Sequence, residues 1–154
     1  MPAPATTDLS TWQHLMPHLP VSDIGKSTAY YEESLGFRLA WQTTDQKLTA
    51  LASGAIELLL LVPWTGNGPI PAQSFYIYVE DPDALYAEYE LAGATMIDPV
   101  ASRSYGMRDF VVADPDGHRF TLGRGEENLR DVASYYSLTP DEMISNPDWL
   151  ERRR

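Results

Sequence analysis

His14 and His18 stand four residues apart in a stretch, His14 to Val21, that reads as a strand. Residues at that spacing share a face, with Met16 between them. Strand rise separates the two imidazoles by roughly 13 Å, too far to grip one ion together. Glu57 lies in a second strand-like run, Ile56 to Val62. Joined with His14 or His18 it would make a general acid–base couple. The plainer reading of Glu57 is a part-buried carboxylate satisfied by backbone or arginine hydrogen bonds. His118 follows Asp114-Pro115-Asp116-Gly117, a strong turn sequence, and is expected to be solvated. No glycine-rich phosphate loop and no serine nucleophile elbow is present. The absence of cysteine removes a thiol nucleophile, a cysteine-held metal and any disulfide framework. That composition fits a reducing compartment, and the cytoplasm is the expected location.

The charge balance narrows the partners. Eleven basic residues face 22 acidic ones, for a net charge of -11, and three of the bases are the terminal Arg152, Arg153 and Arg154. Such a surface repels phosphate backbones and anionic lipid, so neither nucleic acid nor a membrane is expected as a partner. It concentrates cationic small molecules. The longest apolar run, Leu58 to Pro63, is far too short to span a bilayer. No basic region followed by an apolar core marks a secretory signal.

The elements that would position these groups repeat. Asp23 reads as an N-cap, with Ile24, Thr28, Tyr31 and Leu35 at helical spacing and Gly36 as the stop. Strands are predicted at Phe37 to Thr43, Lys47 to Ala52 and Ile56 to Val62. After a linker, the strand Ser74 to Val79 leads to the N-cap Asp81 and to Pro82 at the first helical position. Leu85, Tyr89 and Ala92 form the expected buried stripe, and Gly93 ends the helix. Strands follow at Ala94 to Ile97, Met107 to Ala113 and Arg119 to Gly123. Tyr31 and Tyr89 are 58 residues apart, as are Asp23 and Asp81, so the order β-α-β-β-β occurs twice. The expected fold class is α+β. Two tandem modules, 14–63 and 73–124, form curved sheets around a cleft within one domain, 14–124. The linker is 64–72, a flexible N-terminal arm covers 1–13, and a helical extension covers 125–154.

This order, with Leu19-Pro20-Val21-Ser22-Asp23, Ala55-Ile56-Glu57-Leu58 and Tyr105-Gly106-Met107-Arg108-Asp109-Phe110, resembles the vicinal oxygen chelate superfamily. That group includes glyoxalase I, extradiol dioxygenases and bleomycin resistance proteins, and the likeness is greatest to the bleomycin-resistance branch. The resemblance implies a homodimer. In the metal enzymes it implies four ligands, two from each module, and carried over position by position these are Met16, Glu57, Ser74 and Thr121. Only Glu57 is an ordinary ligand, because a thioether and neutral hydroxyls serve a hard or borderline cation poorly. No metal or other cofactor is therefore expected.

What remains suits binding. Strand parity sends Tyr76 and Tyr78 to the face of Ser74, and Leu59 and Leu61 to the face of Glu57. The resemblance places Trp41 and Tyr105 near a drug groove, and Trp64 stands at the linker. Arg108 would meet an acid or a ligand carboxylate. The expected ligand-binding set is Trp41, Glu57, Trp64, Tyr76, Tyr78, Tyr105 and Arg108. Aromatic faces stack on planar rings and attract cations. The expected function is metal-free binding of an antibiotic-like, cationic or aromatic small molecule, giving resistance by sequestration. The alternative is a glyoxalase-type lyase or isomerase, or a dioxygenase, with a degenerate or absent metal site and Glu57 as its base.

Overall fold

The computed structural model describes residues 13–62, 69–126 and residue 139. The chain divides into two compact units, Met1–Ile70 and Pro71–Arg154. The proposed N-terminal arm up to residue 12, Trp64 and almost all of the C-terminal extension lie outside the described residues.

The first unit runs β1 (His18–Pro20), α1 (Ile24–Glu33), β2 (Arg38–Gln42), β3 (Leu48–Ser53) and β4 (Ile56–Leu61). Its sheet order is β1-β4-β3-β2, with β1 parallel to β4 and the other pairs antiparallel. The Asp23 carboxylate accepts from the Lys26 amide at 2.9 Å and so starts α1. Gly36, at φ +73°, makes the left-handed exit that a side chain would resist. Tyr31 is wholly buried and meets Phe37 edge-on, ring centroids 5.6 Å apart. Leu19, Leu51, Leu58 and Leu60 are buried with it. β1 is shorter than the run His14 to Val21 suggests. Pro17 and Pro20 leave little ladder to make, and β1 is accordingly an edge strand.

The second unit repeats the plan: β5 (Ser74–Tyr78), α2 (Pro82–Leu91), β6 (Thr95–Ser102), β7 (Met107–Ala113) and β8 (Arg119–Gly125), in the sheet order β5-β8-β7-β6. Asp81 caps α2 by accepting from the Ala84 amide at 3.0 Å. Tyr86 and Tyr89 of α2 meet Phe110 edge-on, so Phe110, Val112 and Leu122 form the core beneath the helix. Ala92 is exposed, so the predicted buried stripe of α2 rests on Tyr89 and, in part, Leu85. β6 runs five residues past Ile97, through Pro99. It can do so because it is an edge strand and its pairing with β7 slips around Asp98. Among the described residues no helix is long and apolar enough to cross a membrane.

His118 corrects the sequence reading, for it is completely buried. Asp114 accepts from the amides of Asp116 and His118, at 2.9 and 2.8 Å, and closes the turn. The imidazole Nδ1 then accepts from the Gln73 amide at 3.0 Å. The side chain thus ties the start of β5 to the start of β8.

Phe110 tests this core. Truncation to Ala should cost about 3–5 kcal/mol, because it opens a cavity under both tyrosines of α2. Denaturant unfolding of the two proteins measures the difference.

Candidate functional site

In each unit one sheet face lies under the helix and the other does not. On the second unit the helix-side face carries Phe110, Val112, Phe120 and Leu122. The opposite, open face is set out by register. Asp98, Val111, Thr121 and Tyr76 are successive cross-strand partners over β6, β7, β8 and β5. The next row is Ala101, Asp109, Gly123 and Tyr78. Partners in register point to the same side.

Asp109 is the centre of this face. It is 1% exposed, and its carboxylate takes three charge-assisted or polar contacts. Arg103 Nε donates to Oδ1 at 2.8 Å. The hydroxyls of Tyr105 and Tyr76 both donate to Oδ2, at 2.7 and 3.0 Å. Arg103 Nη2 also donates to the carbonyls of Pro99 and Asp109, at 2.9 and 3.1 Å. A buried carboxylate is tolerated when its lone pairs are met in this way. Arg103 keeps its proton more firmly than usual: burial alone would weaken it, but the hydrogen bond and charge of Asp109 outweigh that. Burial first, and then the Asp109 charge, push the Tyr76 hydroxyl well above its ordinary value.

Tyr76 reaches Asp109 only because β8 carries Gly123 between them. A Cβ there would lie 2.5 Å from both Asp109 Cβ and the Tyr76 hydroxyl, and 2.7 Å from the Arg108 carbonyl. Tyr76 and Tyr78 sit side by side, ring centroids 5.1 Å apart. A cavity of about 350 Å³ opens on this face, lined by Asp98, Arg103, Ser104, Tyr105, Asp109, Val111 and Thr121.

Arg108 lies on the helix side of β7. It grips Asp83 of α2 through Nε at 2.6 Å and through Nη2. That hydrogen-bonded pair lowers the Asp83 pKa and raises that of Arg108. The structure therefore does not bring Arg108 to the face that holds Tyr76, Tyr78 and Tyr105.

On the first unit, Glu57 Oε2 meets His14 Nε2 at 2.8 Å, and both side chains are about half exposed. Trp41 reaches the same open face by a bulge. Leu39 pairs with Leu51, but the extra residue Ala40 shifts the ladder so that Trp41 pairs with Ala50. Ala50 in turn pairs with Leu59, on the side of Glu57. Without the bulge Trp41 would point the other way. It is 48% exposed.

The donor sets do not fit a metal. On the first unit β1 pairs with β4 from His18 and Leu59 onward, so Met16 lies before the paired residues and Glu57 meets His14 instead. On the second unit Ser74 pairs with Arg119, while Thr121 pairs with Tyr76. Neither a hydroxyl pair nor a guanidinium can complete a site for a divalent cation. Among the described residues no three His, Cys, Asp or Glu side chains gather where they could hold an ion.

Sequence reasoning missed Asp98, Arg103, Asp109 and Gly123. One signal was available: Asp109 interrupts an apolar strand, on the side that alternates away from Phe110 and Val112. The convergence of Arg103, Tyr105 and Tyr76 on it has no counterpart in spacing.

The paired β-α-β-β-β units and their open faces define a two-module α+β protein. Residues 11–122 match the Glyoxalase/Bleomycin resistance protein/Dioxygenase superfamily, and the chain belongs to it. No curated protein matches the chain. Among solved structures it is similar to TioX from Micromonospora sp. ML1, with TM-score 0.65 and 21% identity over 73% of this chain and 98% of that one. It is also similar to a glyoxalase/bleomycin resistance protein from Streptomyces sp. CB03234, with TM-score 0.60 and 25% identity over 73% and 100% of the two chains. Lactoylglutathione lyase from Agrobacterium tumefaciens matches with TM-score 0.57 and 20% identity over 73% and 94%. These likenesses bear on the fold and do not choose between a binding protein and a lyase.

Two measurements test the Asp109 cluster. Gly123→Ala should destabilise the protein by about 1–3 kcal/mol, as overpacking does, and displace the Tyr76 ring. Thermal melts and the Tyr76 ring resonances report it. The unfolded chain loses the Tyr76 proton near pH 10, whereas the folded chain keeps it, so stability should fall as pH rises beyond about 10. Denaturant unfolding across that range should show a shallower fall for Tyr76→Phe than for the unchanged protein.

Proposed function

We propose that this protein binds an antibiotic-like, cationic or aromatic small molecule and acts in resistance by sequestering it, without a resident metal. The observation that carries the reading is the chemistry of the open faces. Where metal enzymes of this fold need several imidazoles or carboxylates, this chain offers Met16, Ser74 and Thr121 beside the single carboxylate of Glu57. Its best-built feature is instead a set of aromatic and hydrogen-bonding groups around Asp109. Tyr76, Tyr78 and Trp41 offer flat faces for rings and for cations. Tyr105 and Glu57 offer polar edges. The net charge of -11 draws cations in from solution. The protein works as a homodimer in the cytoplasm, and sedimentation of the purified chain checks its oligomeric state.

A second reading rests on the contact between His14 and Glu57. The pair is a ready acid–base couple for a glyoxalase-type lyase or isomerase that needs no metal, with Glu57 as base. Glu57→Gln separates the two readings. An enzyme would lose turnover while its ligand still bound, whereas a sequestering protein has no turnover to lose.

Titration of tryptophan fluorescence with a panel of cationic aromatic antibiotics tests the first reading directly. Saturable quenching at one ligand per chain, weakened by added salt, is the expected result. Chemical conversion of the ligand, or activity that appears only with stoichiometric Mn, Fe, Zn or Ni, would overturn it.

A further inference from the structure

We infer that the hollow beside Asp109 takes a hydrogen-bond-donating cation (an alkylammonium, amidinium or guanidinium group) and rejects carboxylates; this deepens the binding reading above and rests on it. The charge of the lining and the direction of the phenol protons decide. A phenol has one proton, and Asp109 Oδ2 receives those of both Tyr76 and Tyr105. What those oxygens can still offer is acceptor capacity. The cavity wall also carries Asp98, another acceptor, whose side chain makes no hydrogen bond among the described residues and whose charge acts on Arg103. It stands in the same cross-strand row as Val111 and Thr121, so it is held on this face by register.

The one cation in the wall is Arg103, and its charge is engaged. Its Nε and Nη2 are turned to Asp109 and to the Pro99 carbonyl. Two carboxylates against one guanidinium leave the hollow with a formal charge of minus one. Ser104 and Thr121 hydroxyls also line the hollow, but an incoming anion would meet a wall of net negative charge. An incoming cation with several N–H groups would meet Asp98 and the Tyr105 oxygen, both in the lining. At about 350 Å³ the cavity is near the lower end of small-molecule sites, and suits a head group rather than a whole antibiotic.

Backbone-amide NMR of the full chain, titrated separately with benzamidine, benzamide and benzoate, tests this. These probes share a ring and differ in charge. Benzamidine should bind saturably and move the amides of Asp98, Tyr105 and Thr121. Benzamide should bind more weakly, and benzoate should leave those amides where they are. Asp98→Asn should weaken benzamidine about tenfold, while the exposed position leaves the melting temperature unchanged. Tyr105→Phe should weaken it less. Benzoate binding as well as benzamidine, benzamidine binding elsewhere, no saturable binding of benzamidine, or undiminished affinity in Asp98→Asn would each overturn the assignment. Benzamidine at these residues is read independently of turnover, so discovery of catalysis would defeat the sequestering reading alone. An antibiotic that binds the chain elsewhere would defeat the pocket alone.

Discussion

A carboxylate buried on the open side of a sheet is the constraint to which the second unit answers. Taking Asp109 out of water costs several kcal/mol unless its lone pairs are met. Each nearby feature meets one or makes room for the group that does. Arg103 supplies charge, Tyr105 comes from the β6–β7 turn, and Tyr76 crosses a whole strand to arrive. The crossing requires that Gly123 have no side chain. The slipped pairing of β6 matters in the same way, since it brings the Pro99 carbonyl to Arg103 and so fixes the guanidinium. Removing one partner leaves the others with unmet polar atoms, so the cluster behaves as one object.

The two units show what duplication leaves free. Both keep the cap that starts the helix and the buried tyrosine 58 residues apart, and the glycine that ends the helix within one residue of that spacing. Those residues serve the helix side, where burial admits few alternatives. The open faces have diverged. Tyr76 pairs with Thr121 where, in the first unit, His18 pairs with Leu59. One face holds a buried acid network and the other a half-exposed His14–Glu57 contact. A shared backbone thus carries unlike chemistry, which is why membership of the superfamily leaves the activity open.

The fold was legible because its signals are local. Asp23, Asp81 and Pro82 start helices, Gly36 and Gly93 end them, and Asp114 to Gly117 makes a turn, each through contacts within a few residues. The site was legible only where simple alternation holds, as it does for Ser74, Tyr76 and Tyr78. Trp41 escapes that rule, because the face it takes depends on one extra residue in β2. Asp109 escapes it for another reason: its partners lie four, six and 33 residues away, and nothing in their spacing says that they meet. His118 was misread because a residue beside a turn is usually wet. Here the two ends of the turn, Asp114 and His118, are buried although Pro115 is exposed, and the imidazole bridges two strands.

Two kinds of electrostatics act on any ligand of such a face, and they differ in reach. The excess of acidic residues is spread over the surface, and salt screens it within about 8 Å at physiological strength. It governs how often a cation arrives, and it treats all cations alike. The Asp109 cluster acts at contact distance. Its phenol protons are already assigned to Asp109, so the two hydroxyl oxygens present acceptors whatever the ionic strength. On the binding reading proposed above, selection among ligands would follow from that fixed array, and the net charge would add a screened attraction common to all cations. If the binding reading holds, a surface made less acidic would bind more slowly and keep its preference, whereas a change at Asp109 would leave the overall charge nearly as it is and release the Tyr76 and Tyr105 hydroxyls.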